Sequence, residues 1–250
     1  MKRHKQFFQR LGAAAFWLAV WQCAAMAVGQ EVFLVSPVQA GYTLLQLLPQ
    51  AEFWQRVGFS SGRILLGFGL GVAVSIVLAV AAQAWHTADV LLAPVLQLVK
   101  ATPVASFIIL ALVWVRGASL SVLISFLMVL PVLYGAVRTG LESADPQLLE
   151  MARVFRVPLG RRLRGIYLPQ VMPYFRTAVS LGLGLCWKAG AAAEIIGLPA
   201  GSMGERLYTA KVYFQTADLF AWTVTIVAVS VVFERLFLAL VDRLMGKAGL

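Results

Sequence analysis

Charge is what this sequence has least of. Only 13% of its 250 residues are Asp, Glu, Lys or Arg, 60% are hydrophobic, and the mean hydropathy is +0.83. A soluble domain carries about a quarter charged residues, so this chain cannot clothe a water-facing surface, and a soluble globular fold is excluded. Acidic residues are scarcest: 11 stand against 21 Lys and Arg, a net charge of +10. The only cysteines, Cys23 and Cys186, lie inside apolar runs, which removes a disulfide framework and a cysteine metal site. Histidine is limited to His4 and His86. No HExxH, GxxxxGK[ST] or GxSxG occurs, so the parts for ATP hydrolysis and for the common hydrolase designs are missing, and no cofactor or metal is expected. Gly67, Gly69 and Gly71 do not form a dinucleotide loop, because Val72 follows and the run is apolar throughout. Their spacing fits close helix packing of the GxxxG kind.

What is present is long apolar sequence. A membrane helix needs about 20 mostly apolar residues, and six segments meet or approach that length: 11–28, 64–84, 90–115, 119–137, 177–196 and 219–241. The expected fold is an all-α, polytopic helix bundle, one domain over 1–250. Lys100 and Pro103 interrupt the third segment, so a short helix over 88–98 followed by a span from Pro103 is the other reading there. The first segment also has two readings. Lys2, Arg3, Lys5 and Arg10 followed by an apolar run and Ala25-Met26-Ala27 resemble a cleavable signal. The run is longer than a signal's usual apolar core, which favours a retained span.

The position of the basic excess gives orientation. With the N-terminus inside, the inner segments (2–10, 85–89, 138–176 and 242–250) hold 13 Lys and Arg, and the outer ones (29–63, 116–118 and 197–218) hold 5. The positive-inside rule then sets both termini in the cytoplasm. No basic patch is interleaved with aromatic residues, so lipid and protein are the expected partners, not nucleic acid.

Seven of those basic residues fall in 138–176. Asp145-Pro146 reads as an N-cap with proline at the first helical position. Leu148, Leu149, Ala152 and Phe155 then share a face, and Val157-Pro158-Leu159-Gly160 breaks the helix. A second short helix carries Leu159, Leu163 and Ile166, and Leu168-Pro169 is expected to end it. The object is an amphipathic, basic helix–turn–helix elbow, fit for docking.

Glu150-Met151-Ala152 followed by Ile166-Tyr167-Leu168-Pro169 resembles the EAA motif of bacterial ABC-importer permeases, which runs E-A-A, three residues, G, nine residues, I-x-L-P. The spacing agrees throughout. Met151 replaces an alanine, and Arg156 stands at the glycine, where a turn with positive φ would be costly. Ser61, Arg63, Gly67 and Gly71, then Pro103 and Trp114, then Trp187, Ala192-Ala193-Glu194, Gly201, Gly204 and Phe214-Gln215-Thr216 are similar to the nitrate/sulfonate/taurine branch. The resemblance implies a type I ABC importer permease fold, pairing as a homodimer in a bacterial cytoplasmic membrane. It also implies two ABC ATPase subunits and a periplasmic or lipid-anchored substrate-binding protein. The cargo would be a small solute such as nitrate, a sulfonate, taurine or a vitamin precursor. Glu150, Met151, Ala152, Arg156, Ile166, Leu168 and Pro169 would form the contact with the ATPase.

Ionisable groups inside spans are functional candidates. Lys100, Lys188 and Glu194 are therefore the pathway candidates: either Lys188, with Lys100, gives the pathway a positive potential suited to an anion, or the lysines snorkel or pair with Glu194 and neighbouring carbonyls and hold helices together. A self-sufficient secondary transporter or channel is the competing reading. It would call for inverted repeats or midplane carboxylates, and neither is visible. A membrane-embedded enzyme would need histidines or paired carboxylates within the spans.

Overall fold

The computed structural model describes residues 2–115 and 117–248; of residues 2–8, Arg10, Leu244 and residues 247–248 it describes the backbone only. The basic side chains Lys2, Arg3, Lys5 and Arg10 used for orientation thus lie outside the described residues, as does Arg116. Eleven α-helices follow in order: α1 (Lys2–Val28), α2 (Pro37–Leu47), α3 (Ala51–Ala84), α4 (His86–Ala101), α5 (Val104–Ala111), α6 (Ser119–Glu142), α7 (Pro146–Val154), α8 (Leu159–Arg162), α9 (Leu168–Gly197), α10 (Met203–Val212) and α11 (Thr216–Ala248). A π-helical turn, Leu163–Tyr167, joins α8 to α9. Five helical segments are long and apolar enough to cross a membrane, and six are if the α4–α5 pair forms one broken span. The all-α membrane bundle expected from the sequence is the fold observed.

Helix α6 is the centre, packed against α3 on one side and α9 on the other. Lipid offers no hydrophobic drive for helix association, so close packing and interhelical hydrogen bonds must supply it. Glycines let the backbones approach. A Cβ on Gly67 would lie 2.4 Å from the Val122 carbonyl oxygen, and one on Gly71 would lie 2.9 Å from a Val129 methyl. The Gly67–Gly71 spacing is therefore a helix-packing device. Ser75 Oγ donates to the Leu130 carbonyl at 2.8 Å, and Ser125 Oγ to that of Cys186 at 3.2 Å. Ile64, Phe68, Val129, Leu133, Val179, Leu183 and Trp187 fill the core.

Several boundaries differ from those read in the sequence. The second apolar segment begins at Ala51 rather than residue 64, because the amphipathic turns before Ile64 continue the same helix. The third is two helices, His86–Ala101 and Val104–Ala111, bent by 105°, so the unbroken span over 90–115 is not observed and the break falls where the other reading, a short helix over 88–98 and a span from Pro103, puts it. Its break is Thr102-Pro103, where proline forces Thr102 into extended backbone (φ −77°, ψ 126°). Leu168-Pro169 does not end the elbow's second helix. Helix α8 runs through the π turn into α9, a continuous stretch over Leu159–Gly197. Pro169 follows the π turn, at the second residue of α9. The wider turn before it, closed by Leu168 N–H to Leu163 C=O, gives the ring room. Helices α2 and α10 lie outside the six apolar segments. Both had signals: Ser36-Pro37 for α2, and for α10 the pair Ser202 and Glu205 at capping-box spacing, with Ser202 Oγ accepting from Glu205 N–H.

Candidate functional site: the coupling elbow and the charged groups of the bundle

Asp145 caps α7 as the sequence demands, its carboxylate accepting from Gln147 N–H at 2.8 Å with Pro146 at the first position. At the other end Val157 N–H reaches the Ala152 carbonyl (2.8 Å) and Arg156 N–H that of Arg153 (3.1 Å). This is a Schellman closure, which places the residue after the cap in left-handed backbone. That residue is Arg156, at φ +50°. The position where the EAA pattern has glycine therefore has the conformation glycine favours, and here an exposed arginine occupies it. Arg162 Nε braces the same turn through the Val157 carbonyl at 2.8 Å.

Ala152 is buried, which is why a small residue suits that position. Glu150 and Arg156 are exposed, Ile166 and Pro169 half-buried, and Leu168 lies at the margin of exposure. An apolar ridge faces outward: Met151, Val154, Phe155 and Leu159, with Val154 at 73% and Phe155 at 74% exposure. Phe155, expected to share a face with Leu148, Leu149 and Ala152, parts from the buried Ala152 and lies on this ridge, because the helix ends there.

The pathway candidates separate. Glu194 is 1% exposed. It accepts from Ser60 Oγ at 2.6 Å and from Gly204 N–H at 3.3 Å, while Ser60 Oγ accepts from Met203 N–H at 2.9 Å. Ser60 and Glu194 thus cap α10 from two other helices, supplying acceptors to its first N–H groups. Lys188 does not pair with Glu194: it is exposed on α9 and forms no ion pair among the described residues. Lys100 is exposed in the last turn of α4.

A second polar cluster was invisible in the sequence because its two halves, Glu52 with Arg56 and Ser202 with Glu205 and Arg206, are 146 to 154 residues apart. Arg56 binds Glu52 and Glu205, Arg206 binds Glu52, and Arg56 also donates to the Ser202 carbonyl. These contacts fasten α10 to the start of α3. Burial works against the Glu205 charge, but the hydrogen bonds from Arg56 (2.7 Å) and Gly201 N–H (2.8 Å) outweigh it and hold that carboxyl below its ordinary value.

Comparison with known proteins gives this architecture a context. The chain is 26% identical over 233 residues to the putative aliphatic sulfonates transport permease protein SsuC of Bacillus subtilis, covering 92% of this chain and 83% of that one. It is 25% identical to the taurine transport system permease protein TauC of Escherichia coli (98% and 91% covered). To the bicarbonate transport system permease protein CmpB of Synechococcus elongatus it is 24% identical (78% and 70% covered). Among solved structures, an amino acid ABC transporter with histidines superposes with a TM-score of 0.61 at 14% identity, over 82% of this chain and 97% of that one, a likeness of fold. Residues 67–246 match the model of the binding-protein-dependent transport system inner membrane component, so the chain belongs to that family of multi-pass inner-membrane ABC transporter permeases.

Proposed function

We propose that this chain is the membrane-spanning subunit of an ATP-driven importer, taking a small solute from an extracytoplasmic binding protein and working as a homodimer on two ATPase subunits. The observation that carries the reading is the elbow. The elbow's second helix, α8, runs without a break through the π turn into α9, which packs on the central α6, and the capped α7 with its exposed ridge is joined to α8 by the Schellman turn that Arg162 braces. A rigid connection of this kind can turn a push on the elbow into a tilt of the spans, as a loose loop could not. Closure of the ATPases would move the elbow, and α9 would carry that movement to the pathway. Glu150, Met151, Ala152, Arg156, Ile166, Leu168 and Pro169 serve the contact: Met151, with its ridge neighbours, by touching the ATPase, and Ala152 by keeping the buried side of α7 small. Both termini and the elbow are cytoplasmic in this reading.

The named cargos of the relatives, aliphatic sulfonates, taurine and bicarbonate, make a small solute bearing an oxyanion group the proposed substrate class. Lys100 and Lys188 are the basic groups available to it. Glu194 is better suited to holding α10.

The test is co-expression with a tagged ATPase partner. Glu150→Lys is expected to abolish ATP-driven uptake and ATPase co-purification while leaving the permease folded in the membrane. Wild-type behaviour in both would refute the assignment.

A further inference from the structure

Among the described residues, Lys188 has no ion-pair partner. It lies nine residues before Gly197, the last residue of α9, so a rise of about 1.5 Å per residue puts it roughly 14 Å inside that end. Glu194 on the same helix is bonded through Oε2 to Ser60 and Gly204, and Glu234 of α11 accepts from Ser180. Lys188 shares one face of α9 with Thr177, Leu181 and Leu185, exposed at intervals of four, four and three residues. Toward the elbow, that face becomes one wall of a groove of about 430 Å³, where Tyr174, Thr177 and Leu181 oppose Gly135, Ala136 and Thr139 of α6. On α11 the exposed residues from Val224 to Val232 are all apolar, Val227, Val231 and Val232 among them, as befits contact with lipid tails, and its exposed Arg235 lies eight residues before the C-terminal end of the span at Arg243. An unpaired ammonium at such depth is tolerated where it meets water or a charged partner, not hydrocarbon.

We infer that this face of α9 lines the aqueous pathway and that the Lys188 ammonium gives the pathway a positive potential selecting a small anion. The inference rests on the permease reading above and adds to it the location of the pathway and the sign of its field. A single fixed cation in a narrow channel concentrates anions and repels cations.

The experiment uses the full complex in proteoliposomes, in a Cys23→Ala background, since Cys23 is exposed and Cys186 buried. Leu185→Cys is reacted with an anionic (sulfonatoethyl) and a cationic (trimethylammonium-ethyl) methanethiosulfonate, with and without ATP and vanadate. Val227→Cys is the lipid-facing control. Leu185 lies one turn from Lys188, so the expected ratio of anionic to cationic rates falls about tenfold in Lys188→Met and is kept in Lys188→Arg. Leu181→Cys replaces Leu185→Cys should the latter fail to assemble. Absence of reaction in both nucleotide states places this face in lipid and overturns the inference. Reaction with an unchanged ratio removes Lys188 from the pathway's field and overturns it equally. ATPase co-purification and turnover, read on the same preparations, report separately on the permease reading: their loss in the unsubstituted complex would sink that reading itself.

Discussion

Arg156, Glu194 and Glu205 show how single positions carry strain, capping and charge. Arg156 holds left-handed backbone at φ +50° with its side chain exposed, a conformation that costs an L-residue roughly 1–2 kcal/mol. Arg156→Gly is therefore expected to stabilise the elbow by about 1 kcal/mol, seen as slower hydrogen exchange at the Arg156 and Val157 amides. Faster exchange would mean that the guanidinium contributes more than the backbone costs. Glu194→Ala leaves the Gly204 N–H, a buried helix end, without its acceptor. A loss of about 2–3 kcal/mol in detergent melts is expected, with α10 becoming the first site of proteolysis; Glu194→Gln, which keeps an acceptor, should lose far less. Glu205 titrates with a definite sign. Its folded value lies below the ordinary 4.5, so its contribution is complete above that value and is lost as pH falls through the lowered one. Acidification below about pH 4.5 should thus loosen α10 in the wild type. A Glu205→Gln variant, already without the ion pair, should show a flatter acid limb in melts recorded from pH 6 to 3.

At the scale of elements, helix approach distances decide. Gly67 and Gly69 are two residues apart on α3 and look alike in the sequence. A Cβ at Gly67 would collide with the Val122 backbone, whereas one at Gly69 meets nothing within 4 Å. Gly67→Ala is expected to separate α3 from α6 at a cost of about 1–3 kcal/mol, while Gly69→Ala should be neutral or stabilise slightly through helix propensity. Equal losses in thermal melts would mean that α3 presents a different face to α6. The elbow illustrates the same logic. Leu168-Pro169 carries a helix-stop signal, yet the wider π turn before it gives the proline ring room and lets the chain run on into α9. That continuity is what makes the elbow a lever.

For the whole molecule, one bundle connects an exposed apolar ridge at the elbow with a polar clasp at the opposite end of α9. Val154→Asp with Phe155→Asp should leave the bundle's melting unchanged, because both side chains are more than 70% exposed, but cost tenfold or more in ATP-driven uptake. Unimpaired uptake would remove the ridge from coupling.

The sequence by itself determined the solvent, the number of spans to within the one broken helix, and the capped start of the elbow. These depend on hydropathy and on contacts within a few residues, and both are written locally. Asp145-Pro146 needs only Gln147 to show what it does. Tertiary structure alone decided the fate of the buried charges. Glu194 and Lys188 are six residues apart on one helix and looked like partners. The fold turns Glu194 inward to Ser60 and Gly204 and Lys188 outward to an unpaired face. It also gathered Glu52, Arg56, Glu205 and Arg206 from across some 150 residues of chain. In a membrane a polar side chain is satisfied by whichever helix packs beside it, and helix packing is a property of the assembled bundle that no single segment contains.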